Sequence, residues 1–101
     1  MRITAIEQVA IKKIVEQMDP EARVYLFGSR TDDHLRGGDI DLLILSNRIS
    51  LADKIDILIR IKEVLGEQKI DILVKNDKDA SSDPFVAEIM KSAVPLSDLL
   101  T

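Results

Sequence analysis

Two short runs with apolar centres leave this chain few ways to fold. Residues 39–45 read Asp-Ile-Asp-Leu-Leu-Ile-Leu, and residues 69–75 read Lys-Ile-Asp-Ile-Leu-Val-Lys. Runs of this length, rich in Ile, Leu and Val, suit strands buried on both faces. Between them Leu51, Ile55, Leu58, Ile59 and Leu65 recur at helical spacing, which predicts a helix with those five on one face. Ser50 with Asp53 gives that helix a capping-box-like start, and Gly66 is placed to end it. Arg23 to Phe27 is a further strand candidate that stops at Gly28-Ser29.

The flanking segments add helices. In residues 3–18, Ile3, Ile6, Ala10, Ile11, Ile14, Val15 and Met18 project onto one wide stripe, and Asp19-Pro20 closes the helix. Ser82-Asp83-Pro84 opens a last helix that turns Phe85, Val86, Ile89, Met90 and Ala93 inward before Pro95. Residues 77–83 read as a solvated connection. The expected order is α-β-(short α or loop)-β-α-β-α without repeat or linker. This is an α/β (α+β) chain, a sheet with helices on its faces, in one domain over residues 1–101.

Composition excludes several classes of function. With no cysteine among 101 residues, disulfides, zinc–thiolate centres and Cys nucleophiles are absent together. No apolar run approaches the roughly 20 residues that span a bilayer. The reading is a soluble, cytoplasmic chain with no membrane role. A net charge of −4 and 3% aromatic residues speak against direct nucleic-acid binding, which calls for a basic face or stacking platforms.

The chemistry concentrates at strand openings. Asp is a poor strand former, yet Asp39 and Asp41 head the second strand. Alternation puts both on one side with Cα atoms about 6.6 Å apart. Two such carboxylates repel unless a cation sits between them, and Mg²⁺ prefers carboxylate and phosphate oxygens. Asp71 opens the third strand in the same way. If that strand lies beside the second, the three acids converge on one patch suited to two metal ions about 3.5–4 Å apart. Gly28 after a strand lets a phosphate approach the main chain, Ser29 offers a hydroxyl, and Arg30 adds charge. Gly37-Gly38 reads as a turn, His34 as a solvated loop residue, and Tyr25 and Phe27 as core.

Gly28-Ser29, a short loop, the strand-borne pair Asp39 and Asp41, and the later strand acid Asp71 together resemble the DNA polymerase β-like nucleotidyltransferase superfamily. More narrowly, the chain is similar to the minimal nucleotidyltransferase (MNT) proteins of prokaryotes, often the antitoxins of HEPN/MNT toxin–antitoxin pairs. The resemblance runs from residue 23 to residue 75, and the leading helix fits it. Nine residues separate Ser29 from Asp39, where many MNT antitoxins have ten.

The resemblance implies a small mixed β-sheet flanked by helices and a metal-dependent transfer of AMP from ATP, or of another NTP's monophosphate. It implies that Asp39, Asp41 and Asp71 are the catalytic, metal-holding acids. Gly28, Ser29 and Arg30 would bind the nucleotide, with Mg²⁺, two ions, as cofactor. The acceptor it implies is a tyrosine on a helical HEPN toxin, silenced by AMPylation. A chain this short leaves no room for an acceptor-binding domain, so a homo- or hetero-oligomer is expected. The competing reading is a non-catalytic binding module or antitoxin subunit that neutralises its partner by contact alone. A third is a structural subunit that binds no nucleotide.

Overall fold

The computed structural model describes residues 5–27, 40–66 and 69–96. Helix α1 (Ala5–Met18) leads into strand β1 (Arg23–Phe27), followed by β2 (Ile40–Leu45), α2 (Leu51–Leu65) and β3 (Ile70–Lys75). Then come two short helices, α3 (Asp77–Ser82) and α4 (Pro84–Met90), and a two-residue strand β4 (Val94–Pro95). The strands form a four-stranded sheet in the order β3-β2-β1-β4. β2 and β3 are parallel, with α2 as their crossover, and both pairings of β1 are antiparallel. The small mixed sheet flanked by helices is the expected fold class.

The sheet is buried from both sides. On one face Val24, Leu26, Ile40, Leu42, Ile44, Ile70 and Ile72 pack against Ile11 and Val15 of α1 and Ile57, Ile61 and Leu65 of α2. On the other, Leu43 and Leu45 pack against Val86 and Ile89 of α4, with Tyr25, Phe27 and Leu73 half-buried beside them. Tyr25 and Phe27 therefore belong to the core, as read. Asp41, Leu43 and Leu45 alternate onto the α4 face, and Ile40, Leu42 and Ile44 onto the helix-pair face.

Several details differ from the sequence reading. Helix α2 buries Ile57, Ile61 and Leu65, leaves Leu58 half-buried, and exposes Leu51, Ile55 and Ile59, each by at least half. It carries two apolar stripes at i, i+4, i+8 spacing, and periodicity alone does not choose which one meets the sheet. Arg60 on its flank donates to Gln17 of α1 at 3.0 Å and pairs with Asp56 at 3.3 Å. Ile6 of α1 is 81% exposed, because it lies about 140° around the helix from Ile11 at about 100° per residue. Phe85 and Met90 also stay exposed, since α4 ends at Met90 and presents only Val86 and Ile89 to the sheet.

Residues 77–82 are helix α3 rather than connection. The Asn76 side chain caps it by accepting from the Asp79 N–H at 2.7 Å, and Asp77 and Asp79 suit its first turn. Val94 and Pro95 pair with Leu26 and Tyr25 as an edge strand. Proline is tolerated there because an edge leaves one N–H row unpaired. Ile3, Gly28, Ser29, Arg30, His34, Gly37-Gly38 and Asp39, with the expected short helix or loop between the first two strands, lie outside the described residues.

Candidate active site

The acids that the structure describes are brought together by strand register. β2 and β3 run in parallel with Asp41 opposite Asp71. Side chains of register partners share a face, so the two carboxylates stand on the α4 side of the sheet. Their strands are about 4.8 Å apart. Asp41 is half-buried and Asp71, on the outermost strand, is exposed. The ladder is fastened at this end by Ile40 N–H donating to Lys69 C=O at 2.9 Å, and at the other by Ser46 N–H donating to Lys75 C=O at 2.9 Å.

β1 completes the row. Phe27, its last residue, is the antiparallel partner of Asp41, so Phe27, Asp41 and Asp71 form one line across three strands. Gly28 and Ser29 follow Phe27 directly in sequence, and Asp39 directly precedes Ile40. The third strand does lie beside the second, which sets Asp41 and Asp71 at adjacent positions. Asp39, Gly28, Ser29 and Arg30 are outside the described residues. Among the described residues, no three His, Cys, Asp or Glu side chains form a metal-holding group.

Asp41 and Asp71 fit a hard divalent cation in their chemistry: both donors are carboxylate oxygens, and two neighbouring strands project them onto one face at adjacent positions. Each sits at an amino end of the parallel pair, where Leu43 and Leu73, two residues further along, already belong to the packed layer beneath. The acids thus mark the rim where buried sheet gives way to open surface.

A second polar centre, which sequence reasoning missed, closes the opposite end of the sheet. Asp19, only 2% exposed, accepts from Ser46 Oγ at 2.6 Å and from Glu21 N–H at 2.9 Å. Ser46 Oγ in turn accepts from the N–H groups of Arg48 and Ile49, each at 3.1 Å. The Ser46 hydrogen bond, then the Glu21 N–H and the nearby Arg48 charge, hold the Asp19 carboxyl below its usual range against the opposing effect of burial. Arg23 pairs with Asp77 at 2.8 Å, and Asn47 exchanges hydrogen bonds with Asp77. The available signal was a polar residue at each strand end, Asp19 ahead of β1 and Ser46 after β2, and nothing in the spacing joins them.

Two cavities lie away from the acid row. One of about 430 Å³ opens between α1, β1 and β4, with Val15, Tyr25, Pro95 and Leu96 in its walls. A second of about 170 Å³ is lined by Asp19, Arg23, Asn47, Arg48 and Asp77 of the opposite polar centre. Neither is lined by Asp41 or Asp71.

Comparison with known proteins bears on this geometry. A family model described as a nucleotidyltransferase domain matches residues 9–96, a span that contains every candidate site residue. No curated protein matches the chain. One similar solved structure is a toxin–antitoxin complex, MntA–HpeT, carrying two aspartate-to-glutamate substitutions. Its TM-score is 0.65 at 18% identity, covering 88% of this chain and 70% of that one. Another is a toxin–antitoxin structure with AMP-PNP, with TM-score 0.65 and 19% identity over 88% and 71% of the two chains. At such identities the likeness is one of fold.

Proposed function

The chain belongs to the nucleotidyltransferase domain family, and from that premise we propose that it transfers AMP from ATP to an acceptor hydroxyl with release of pyrophosphate. The observation that carries the reading is the register of Asp41 with Asp71, in line with the strand end that leads into Gly28-Ser29. In this reading Asp39, Asp41 and Asp71 hold Mg²⁺, two ions, while Gly28, Ser29 and Arg30 take the triphosphate. Mg²⁺, when bound, supplies positive charge against the phosphate oxygens and a template for the in-line geometry. The acceptor oxygen forms a bond to the α-phosphorus and the bond from that phosphorus to pyrophosphate breaks. The hydroxyl proton passes to the Asp71 carboxylate, the more exposed of the two described acids.

The acceptor in this proposal is a tyrosine of a helical HEPN-type toxin, and the chain is its cytoplasmic antitoxin. The solved structures of similar fold, toxin–antitoxin complexes of which one holds AMP-PNP, support that direction. The test is to incubate the chain, co-purified with its helical partner, with Mg²⁺ and α-labelled ATP. Label on a partner tyrosine, lost with Asp41→Asn while the complex stays intact, is the expected result. Neutralisation of the partner by both forms, without label, would replace transfer with contact alone.

A further inference from the structure

We propose that a second copy of this chain docks on the β3 flank, its β3 pairing antiparallel with this one about a two-fold axis and its α2 packing against this α2. The inference is independent of the nucleotidyltransferase reading. β3 is the outer strand, and no described residue extends the sheet past it. The bonds from Ile40 N–H to Lys69 C=O and from Ser46 N–H to Lys75 C=O set the phase of its ladder with β2. In that phase residues 69, 71, 73 and 75 bond to β2, so the N–H and C=O groups of Ile72 and Val74 point outward.

The charges on β3 select one self-pairing. Outward groups meet only when even-numbered residues of the two strands face each other, which allows two-fold centres at residues 71, 72, 73 and 74. Centres at 71, 72 and 74 set Asp71 against itself, Lys69 against Lys75, and Asp71 against Asp77. A centre at Leu73 instead sets Asp71 opposite Lys75 of the second copy, twice by symmetry, and Ile72 opposite Val74. Asp71 is exposed, and Lys75, 3.1 Å from Asp83, keeps donors for a second carboxylate.

The same flank carries the exposed stripe of α2. α1 stands over the β1–β4 side, where Lys12, Val15 and Glu16 share a cavity with Tyr25 and Pro95. α2 meets α1 through Arg60, which donates to Gln17. At about 100° per residue, the buried row Ile57-Ile61-Leu65 lies between Arg60 and the row Leu51-Ile55-Ile59 around the helix. The exposed row therefore faces away from α1, towards the β3 edge. Because α2 returns antiparallel to β3, a two-fold axis at Leu73 brings Ile55 and Ile59, near mid-helix, closest to it. The two apolar rows then meet antiparallel, above a layer continued by Ile72 and Val74, which lie on the face that α2 covers.

Sedimentation equilibrium of the wild-type chain should show a concentration-dependent dimer. Asp71→Lys and Lys75→Asp, each alone, oppose like charges at both symmetric pairs and should weaken it about tenfold or more. An equimolar mixture of the two should recover it, because every Lys then faces an Asp. Ile55→Ser with Ile59→Ser, at exposed positions, should also weaken it, and denaturation midpoints verify that each variant folds. A wild-type chain that stays monomeric at every concentration overturns the proposal. A dimer that the serine pair leaves unchanged, or a mixture no stronger than the single variants, also overturns it. Should a charge variant not fold, amide exchange at Ile72 and Val74 of the wild type decides. Protection that rises with concentration is expected, and protection independent of concentration overturns the pairing.

Discussion

Replacing Ser46 with alanine tests whether the polar centre opposite the acid row holds the fold together. The substitution removes one hydrogen bond to a carboxylate and two from backbone N–H groups. A bond to a charged group contributes about 1.5–3 kcal/mol and a neutral one about 0.5–1.5 kcal/mol. The Arg48 and Ile49 contacts are only part-buried, so water recovers some of their loss. The expected cost at pH 7 is therefore about 2–4 kcal/mol, or on the order of 10–20 °C in Tm for a chain of this length.

The pH dependence supplies the sharper test. Asp19 has its carboxyl lowered in the folded state, chiefly by Ser46. Its contribution is thus complete above the ordinary carboxylate value of about 4 and disappears as pH falls through the lower folded value. Urea denaturation of wild type and Ser46→Ala between pH 7 and pH 2 should show the gap narrowing to about 1 kcal/mol, the residue left by the two neutral bonds. A constant gap, or one below about 0.5 kcal/mol at pH 7, would refute the assignment of the cost to the carboxylate contact.

Other substitutions address separate parts of the account. Ile61→Ala, at a fully buried position, should cost about 2–5 kcal/mol, whereas Ile59→Ala, 53% exposed, should stay within about 0.5 kcal/mol by denaturant midpoint. Gly66 ends α2 at φ 77° with nothing within 4 Å of an added Cβ, so Gly66→Ala should lose about 1 kcal/mol or more through backbone conformation alone. Asp71→Asn should leave the metal-free chain as stable as wild type, or up to about 1 kcal/mol more so, because it relieves repulsion between like charges on paired strands. The same variant should lose the rise in Tm that Mg²⁺ with ATP gives the wild type.

The sheet was legible in the sequence because its strands are buried runs with turn or cap signals at their ends, and Ser50 with Asp53 does form the capping box. Which stripe of α2 turns inward was not legible. Leu51-Ile55-Ile59 and Ile57-Ile61-Leu65 have the same spacing, and only the packing of α2 against α1 and the sheet distinguishes them. Strand β4 escaped notice because two residues carry no period and proline argues against a strand. Asp41 and Asp71 stood out as acids in apolar runs, yet their meeting depends on parallel register, which no local pattern encodes. The Asp19–Ser46 bond joins residues 27 apart in sequence and left no local trace.

The central claim is that acids from neighbouring strands form a divalent-metal site for a nucleotide. Its most direct test is calorimetric titration of ATP into the chain with Mg²⁺, repeated with EDTA and with Asp39→Asn and Asp41→Asn. Binding that requires the metal and each aspartate is the predicted result. Binding of equal strength in EDTA, or in both aspartate variants, would contradict the account.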